Sequence, residues 1–258
     1  MDITALRTLY DRQRRIGAHP DGPGCRVERD GLVVRHEGPS YAWNGVLWSG
    51  LGPQDADAAI AAEIRHFRAA GHSFEWTLYE HDGPADLADR LLAAGFTAEE
   101  PETLMVAEAA TLPAAVDLPA GVELHPVTDE AGVRMMAEVH DRAFGTDGSA
   151  YVSRLLDQLA SAPDSVAAVV AVADGVPVSS ARLDLPEGSD FAGLYGGGTV
   201  AEWRGKGLYR ALVSHRARTA IARGYRYVQV DAAPTSRPIL KRLGFAELTT
   251  MTPYVYEV

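Results

Sequence analysis

Two stretches of this 258-residue chain carry the same succession of signals, and that succession limits the fold more than composition does. "FRAAGHSFEWTLYE…ADRLLAAGF" and "IARGYRYVQVD…PILKRLGF" each read as helix end, glycine, strand, helix, glycine, phenylalanine. In both, apolar residues at helical spacing give way to strand-like alternation and then return. The spacings differ by only a few residues, as two copies of one unit would. Such a chain is α/β: a mixed sheet with helices on both faces.

The second stretch sits in a longer regular pattern. "VELHPVT" reads as a strand, "DEAGVRMMAEVHDRAF" as a helix starting near Asp129, and "SAYVSRLLDQLAS" as a second helix with Tyr151, Leu155, Leu156 and Leu159 on one face. "SVAAVVAVA" and "VPVSSARLDL" flank Asp174-Gly175, a strong hairpin signal. "DFAGLYGGGTV" is a further strand, followed by a long helix, the strand "YRYVQVDA", a short helix ending at Gly244, and two closing strands, "FAELTT" and "TPYVYEV". The order is β-α-α-β-β-β-α-β-α-β-β. Ahead of it, "EAATLPAAVDLPAG" has the Pro and Ala content of a linker. The expected division is a first domain over 1–112, a linker over 113–120 and a second domain over 121–258.

Charge and cysteine content exclude several classes. The net charge is −11, with 10 basic against 19 acidic residues in 1–120 and 14 against 16 in 121–258. Nucleic-acid binding needs phosphate neutralisation, which this balance does not supply. The longest apolar run, Val166 to Ala173, is too short to cross a bilayer, and the N-terminus lacks the apolar core of a secretion signal. A single cysteine, Cys25, rules out an internal disulfide and fits the cytoplasm. With one cysteine and no His-x-x-x-His pair, no metal site is expected.

The chemistry concentrates in "EWRGKGLYRALV", Glu202 to Val213. A helix start leaves about four backbone N–H groups unpaired and carries roughly half a positive elementary charge. Gly205 and Gly207 remove side chains from its approach, and Arg204 and Lys206 add formal charge, a composition suited to an external phosphate. The spacing is neither the dinucleotide fingerprint G-x-G-x-x-G nor a Walker loop. It resembles the R-x-x-G-x-[GA] pyrophosphate loop of the GNAT acetyltransferase superfamily, with Arg204 and Gly207 in place and Tyr209 where the last small residue stands. The preceding strand and the later helix ending in "LGF" strengthen the resemblance, which covers the second half in full.

The resemblance implies the acyl-CoA N-acyltransferase fold, here as two GNAT-like domains in tandem, with acetyl-CoA as co-substrate where the fourth and fifth strands splay apart. The pyrophosphate would meet Gly205, Lys206, Gly207, Leu208 and Tyr209, with Arg204 and Arg210 nearby. The pantetheine would pair with Gly197, Gly198, Thr199 and Val200, and the amide of Thr199 or Val200 would polarise the thioester carbonyl. A primary amine, on a small molecule or peptide, would attack directly in a ternary complex.

The family's usual acid, a tyrosine four residues before the closing glycine, is Leu240 here, and its usual asparagine is Ala233. Tyr195, Asp141 and Ser236 are the remaining candidates for proton transfer. The first half lacks the loop: "LGPQDADAA" puts Asp55 and Asp57 where they would repel a phosphate, and Pro53 removes a donor. One site per chain follows, and oligomerisation stays open, since a strand such as "PYVYEV" can pair between chains or be covered internally. The alternatives to an N-acetyltransferase are a non-catalytic acyl-CoA sensor and an acyltransferase with a hydroxyl or thiol acceptor.

Overall fold

The computed structural model describes residues 2–114, 117–146 and 148–258, with only the backbone described at 149–151. The linker expected at 113–120 therefore lies partly outside the described residues, at 115 and 116. The first half comprises α1 (Ile3–Tyr10), which runs on as a π-turn over Asp11–Ile16, then β1 (Arg26–Asp30), β2 (Val33–Glu37) and β3 (Gly45–Ser49). It continues with α2 (Ala56–Ala70), β4 (Phe74–Tyr79), α3 (Leu87–Ala93), β5 (Thr97–Ala98) and β6 (Glu102–Glu108). The second half holds β7 (Val122–Pro126), α4 (Glu130–Phe144), α5 (Ser149–Ser161), β8 (Val166–Ala173), β9 (Val176–Asp184) and β10 (Phe191–Thr199). After these come α6 (Leu208–Ala222), β11 (Tyr227–Ala232), α7 (Arg237–Leu243) and β12 (Ala246–Tyr256).

The expected signals act where they stand in the sequence. Asp129 caps α4 through its carboxylate and the Gly132 amide, Asp174 and Gly175 turn the β8–β9 hairpin with positive φ, and Gly244 closes α7 at φ 103°. The ending differs from expectation. The two closing strands are one 11-residue strand, β12, because "LTTMTPYV" contains no turn-forming pair and its β-branched residues favour extension.

All strands join one mixed sheet in the order β1-β2-β3-β4-β12-β6-β11-β10-β9-β8-β7, with β5 alongside β12. The halves exchange their last strands. β6 of the first half lies between β11 and β12, and β12 pairs along Ala246–Met251 with β6 and along Met251–Tyr256 with β4. "PYVYEV" is thus covered within the chain, and the sheet edges are β1 and β7.

Alternation along each strand sorts the helices between two faces. On one face α2 and α3 bury Ile60, Phe67, Leu87 and Leu91 against Phe74, Trp76 and Tyr254, while α6 and α7 bury Val213, Ala217 and Leu240 against Met105, Leu194 and Val228. On the other face, Leu6 and Tyr10 of α1 meet Tyr79, Phe191, Tyr227 and Met251. There α4 and α5 cover β8 through Val133, Met136 and Leu155. Each such buried side chain contributes about 1.5–3 kcal/mol. No helix among the described residues is long and apolar enough to cross a membrane.

Candidate active site

Helix α6 begins open. Gly205 (φ 74°) and Gly207 (φ 91°) occupy the left-handed region, where any other residue but glycine is strained. Gly207 is the cap residue and no side chain caps the helix. The first intrahelical bond runs from the Ala211 amide to the Gly207 carbonyl at 3.0 Å, so the amides of Leu208, Tyr209 and Arg210 have no acceptor within the helix. Lys206 Nζ lies 4.3 Å from the centre of the Trp203 ring, which packs against the cluster containing Val200 and Leu208. The exposed Arg204 acts as a brace: its Nε donates to the Thr199 carbonyl at 3.1 Å and its Nη2 to the Ala143 carbonyl at 2.8 Å. Arg210 is exposed on the first turn, and Tyr209 is half-buried against the main core, where burial pushes its hydroxyl pKa up.

Below this loop the sheet opens. β10 and β11 pair only from Phe191 to Gly193, opposite Tyr227 to Gln229, and then part. Beyond that point Tyr195 faces Arg182 and Gly198 faces Ser180, so Gly196 and Gly197 form a bulge, with Gly196 at φ 56°. The bulge is fixed from beneath by Arg216, buried on α6, whose Nη1 donates to the carbonyls of Arg182 at 3.1 Å and Tyr195 at 3.3 Å.

Of the two amides expected at the thioester, that of Val200 is already used, donating to the Val178 carbonyl at 3.0 Å. In an antiparallel ladder the preceding amide then points the other way, so the Thr199 N–H faces the open side of β10. The Thr199 hydroxyl lies 2.8 Å from that of Ser179. Gly198 meets α4, since a Cβ there would lie 3.2 Å from Phe144 and 3.4 Å from Ala143.

The three proton-transfer candidates fall in different surroundings. Tyr195 stands beside the bulge, accepting from Gln229 Nε2 at 2.7 Å and donating to Asp231 Oδ2 at 3.4 Å, with the Arg182 guanidinium 5.6 Å from its ring centre. Burial, and then the charge of Asp231, push its pKa well above the tyrosine range, so the hydroxyl stays protonated. Asp141 is exposed and accepts the Gly148 amide at 2.9 Å, which holds the α4–α5 turn. Ser236 donates to the Ala233 carbonyl at 3.1 Å at the foot of α7. Leu240 is completely buried in the core with Val228 and Ala232.

The residue that the motifs missed is Asp231. Burial pushes its carboxyl up to about 6, against the pull of the Tyr195 hydrogen bond. Its Oδ1 is buried without a hydrogen-bond partner, as is Gln229 Oε1. Glu102, on the neighbouring β6, is raised to about 7 by burial and then by Asp231 and Glu75, and burial also raises Glu75. The signal was present in "YVQVDA": alternation puts Gln229 and Asp231 on the face of Tyr227, two polar groups in an interior strand.

Residues 133–245 match the model of the Acetyltransferase (GNAT) family. That segment is similar to a GNAT domain. The matched segment contains the α6 loop, the β10–β11 splay, Tyr195 and Asp231. The GNAT fold extends over nearly the whole chain. A GCN5-related N-acetyltransferase from Kribbella flavida aligns at 19% identity and a TM-score of 0.72, covering 98% of this chain and 95% of that one. A conserved protein of unknown function from Staphylococcus epidermidis aligns at 15% identity and 0.70, covering 98% and 99%. A tandem GNAT protein from the clavulanic acid biosynthesis pathway aligns at 15% identity and 0.64, covering 99% and 94%. No protein of curated function matches in sequence.

Proposed function

We propose that the protein is an acetyl-CoA-dependent N-acetyltransferase acting on a primary amine of a small molecule or peptide. The observation that carries this reading is the splay of β10 from β11 beneath an uncapped, cationic helix start, with the partnerless Asp231 oxygen on the strand that turns away. The glycine-shaped loop suits a pyrophosphate, which the amides of residues 205–210 would hold with Lys206 and Arg210 close by. The bare edge of Gly197, Gly198 and Thr199 would take the pantetheine, and the Thr199 amide would polarise the acyl carbonyl. Acetyl-CoA supplies an activated acetyl thioester.

In this reading Asp231 is the general base. A carboxylate near pH 6 is matched to taking the proton of an ammonium acceptor at neutral pH, and Tyr195 orients it through Oδ2. Glu102 and Glu75 add negative potential that draws a cation to the same face. Catalysis belongs to 121–258, and 1–112 supplies the strand β6 and part of that face without a cofactor loop of its own.

The test is release of CoA thiol with a panel of mono- and polyamines, for the wild type and Asp231→Asn. Release with amines, lost in the variant, supports the proposal. One observation favours a second reading: Leu240 offers no proton to a leaving group, as in a binding protein that has lost turnover. Tight acetyl-CoA binding with no release across the panel would establish that sensor.

A further inference from the structure

The sequence argues against a metal, yet the fold gathers three side chains of ligating type in the first half. Asp21, Cys25 and His36 place a carboxylate oxygen, a thiol sulfur and an imidazole nitrogen all within 4.8 Å of one another, the one such group among the described residues. The two oxygen and nitrogen ligands are each held from behind. His36, 3% exposed on β2, has Nδ1 2.8 Å from the Trp43 carbonyl, which fixes the ring with Nε2 directed at Asp21 and Cys25. Asp21 gives Oδ2 to Arg154 of α5 and leaves Oδ1 2.8 Å from His36 Nε2, close enough for an ion pair but out of line for a hydrogen bond. Outer contacts of this kind are what orient metal ligands.

The thiol is confined as well. A Cβ on Gly38 would come within 2.7 Å of the Cys25 sulfur and 2.9 Å of Ala42, so only glycine lets the β2 end close over it. A cavity of about 10 Å³ lies beside Asp21 and Cys25, bounded also by Tyr41, Arg154 and Asp157. That is about the space one water or one ion needs.

We infer that Asp21, Cys25 and His36 form a site for a divalent cation of zinc type, held to β2 and tied through Arg154 to α5. One thiolate, one imidazole and one carboxylate match a borderline-soft ion, which takes water as its fourth ligand. The ion would brace the 21–25 segment against both halves of the chain.

The test titrates reduced, metal-free full-length protein with Zn²⁺ by calorimetry, and with Co²⁺ while following the thiolate-to-cobalt absorption in the near ultraviolet. The expected result is one ion per chain, that absorption band, and a higher melting temperature on adding Zn²⁺. His36→Gln and Asp21→Asn, each checked for folding by circular dichroism, should weaken binding by more than about tenfold. Absence of binding overturns the inference. So does a band that survives both substitutions undiminished, because it would report a lone thiol.

Discussion

Helices α6 and α2 hold corresponding places in the two halves, each lying on the same face of the sheet and leading into a strand and a second short helix. They begin differently. At α6, two left-handed glycines and no capping side chain leave the first amides bare, with Lys206 stacked on Trp203 beside them. At α2 no side chain caps the first amides either, but acids stand beside them: Asp55 Oδ2 takes the Gly52 amide of the preceding turn at 3.2 Å, and Asp57 pairs with Arg90 of α3 at 2.9 Å. The α6 start has two cations beside it, and the α2 start has two carboxylates. Under the proposed function, a few residues at one turn separate a binding half from a supporting half of a shared fold.

The contrast can be broken by moving the acid across. Gly207→Asp puts a Cβ at φ 91° and a carboxylate on the free amides, and it should lower acetyl-CoA affinity by about 100-fold or more, measured by calorimetry. The reverse change, Asp57→Ala in the first half, should leave that affinity and a stoichiometry of one unchanged.

Asp231→Asn should lower kcat by about 10²–10⁴-fold with acetyl-CoA affinity intact. In the wild type, kcat/KM should rise with pH through about 6, and the variant should lose that limb. The same substitution has a stability signature of known sign. A carboxyl raised from 3.8 to about 6 by burial is disfavoured in its ionised form, so the fold loses stability as pH rises between those values. Asp231→Asn should therefore be the more stable protein at pH 8, by up to about 3 kcal/mol in urea unfolding, with the advantage gone below pH 4. If its stability instead tracks the wild type at every pH, the assignment of a strained carboxylate fails.

Smaller effects sharpen the role of the loop. Arg204→Gln removes the brace to Thr199 and Ala143, and should cost about 1–3 kcal/mol of stability while weakening acetyl-CoA binding less than Gly207→Asp does. Lys206→Ala should weaken binding by only a few-fold, about 1 kcal/mol, with a reduced dependence on salt.

Much of this was legible in the residues. The repeated helix–glycine–strand succession placed α2, β4, α3, α6, β11 and α7, because each is written in local periodicity and a glycine follows each of the helices. The open start of α6 was legible because Gly205 and Gly207 offer no capping side chain there. The exchange of β6 and β12 was not, since strand partners are chosen by register across the sheet and nothing local in "FAELTTMTPYVYEV" names the neighbour. Arg216 reads as a charge late in a helix, yet it is buried under the bulge, because its carbonyl partners come from β9 and β10. Asp231 was hidden among strand residues, and only the parting of β10 from β11 gives its carboxylate an opening.

The central claim is that the α6 start is the chain's single acetyl-CoA site. Calorimetric titration of the full-length protein with acetyl-CoA tests it most directly, run in parallel on the wild type, Gly207→Asp and Asp57→Ala. The account predicts one site per chain, abolished or weakened at least about 100-fold by Gly207→Asp and untouched by Asp57→Ala. Two sites per chain, or an affinity that Gly207→Asp leaves unchanged, would contradict it.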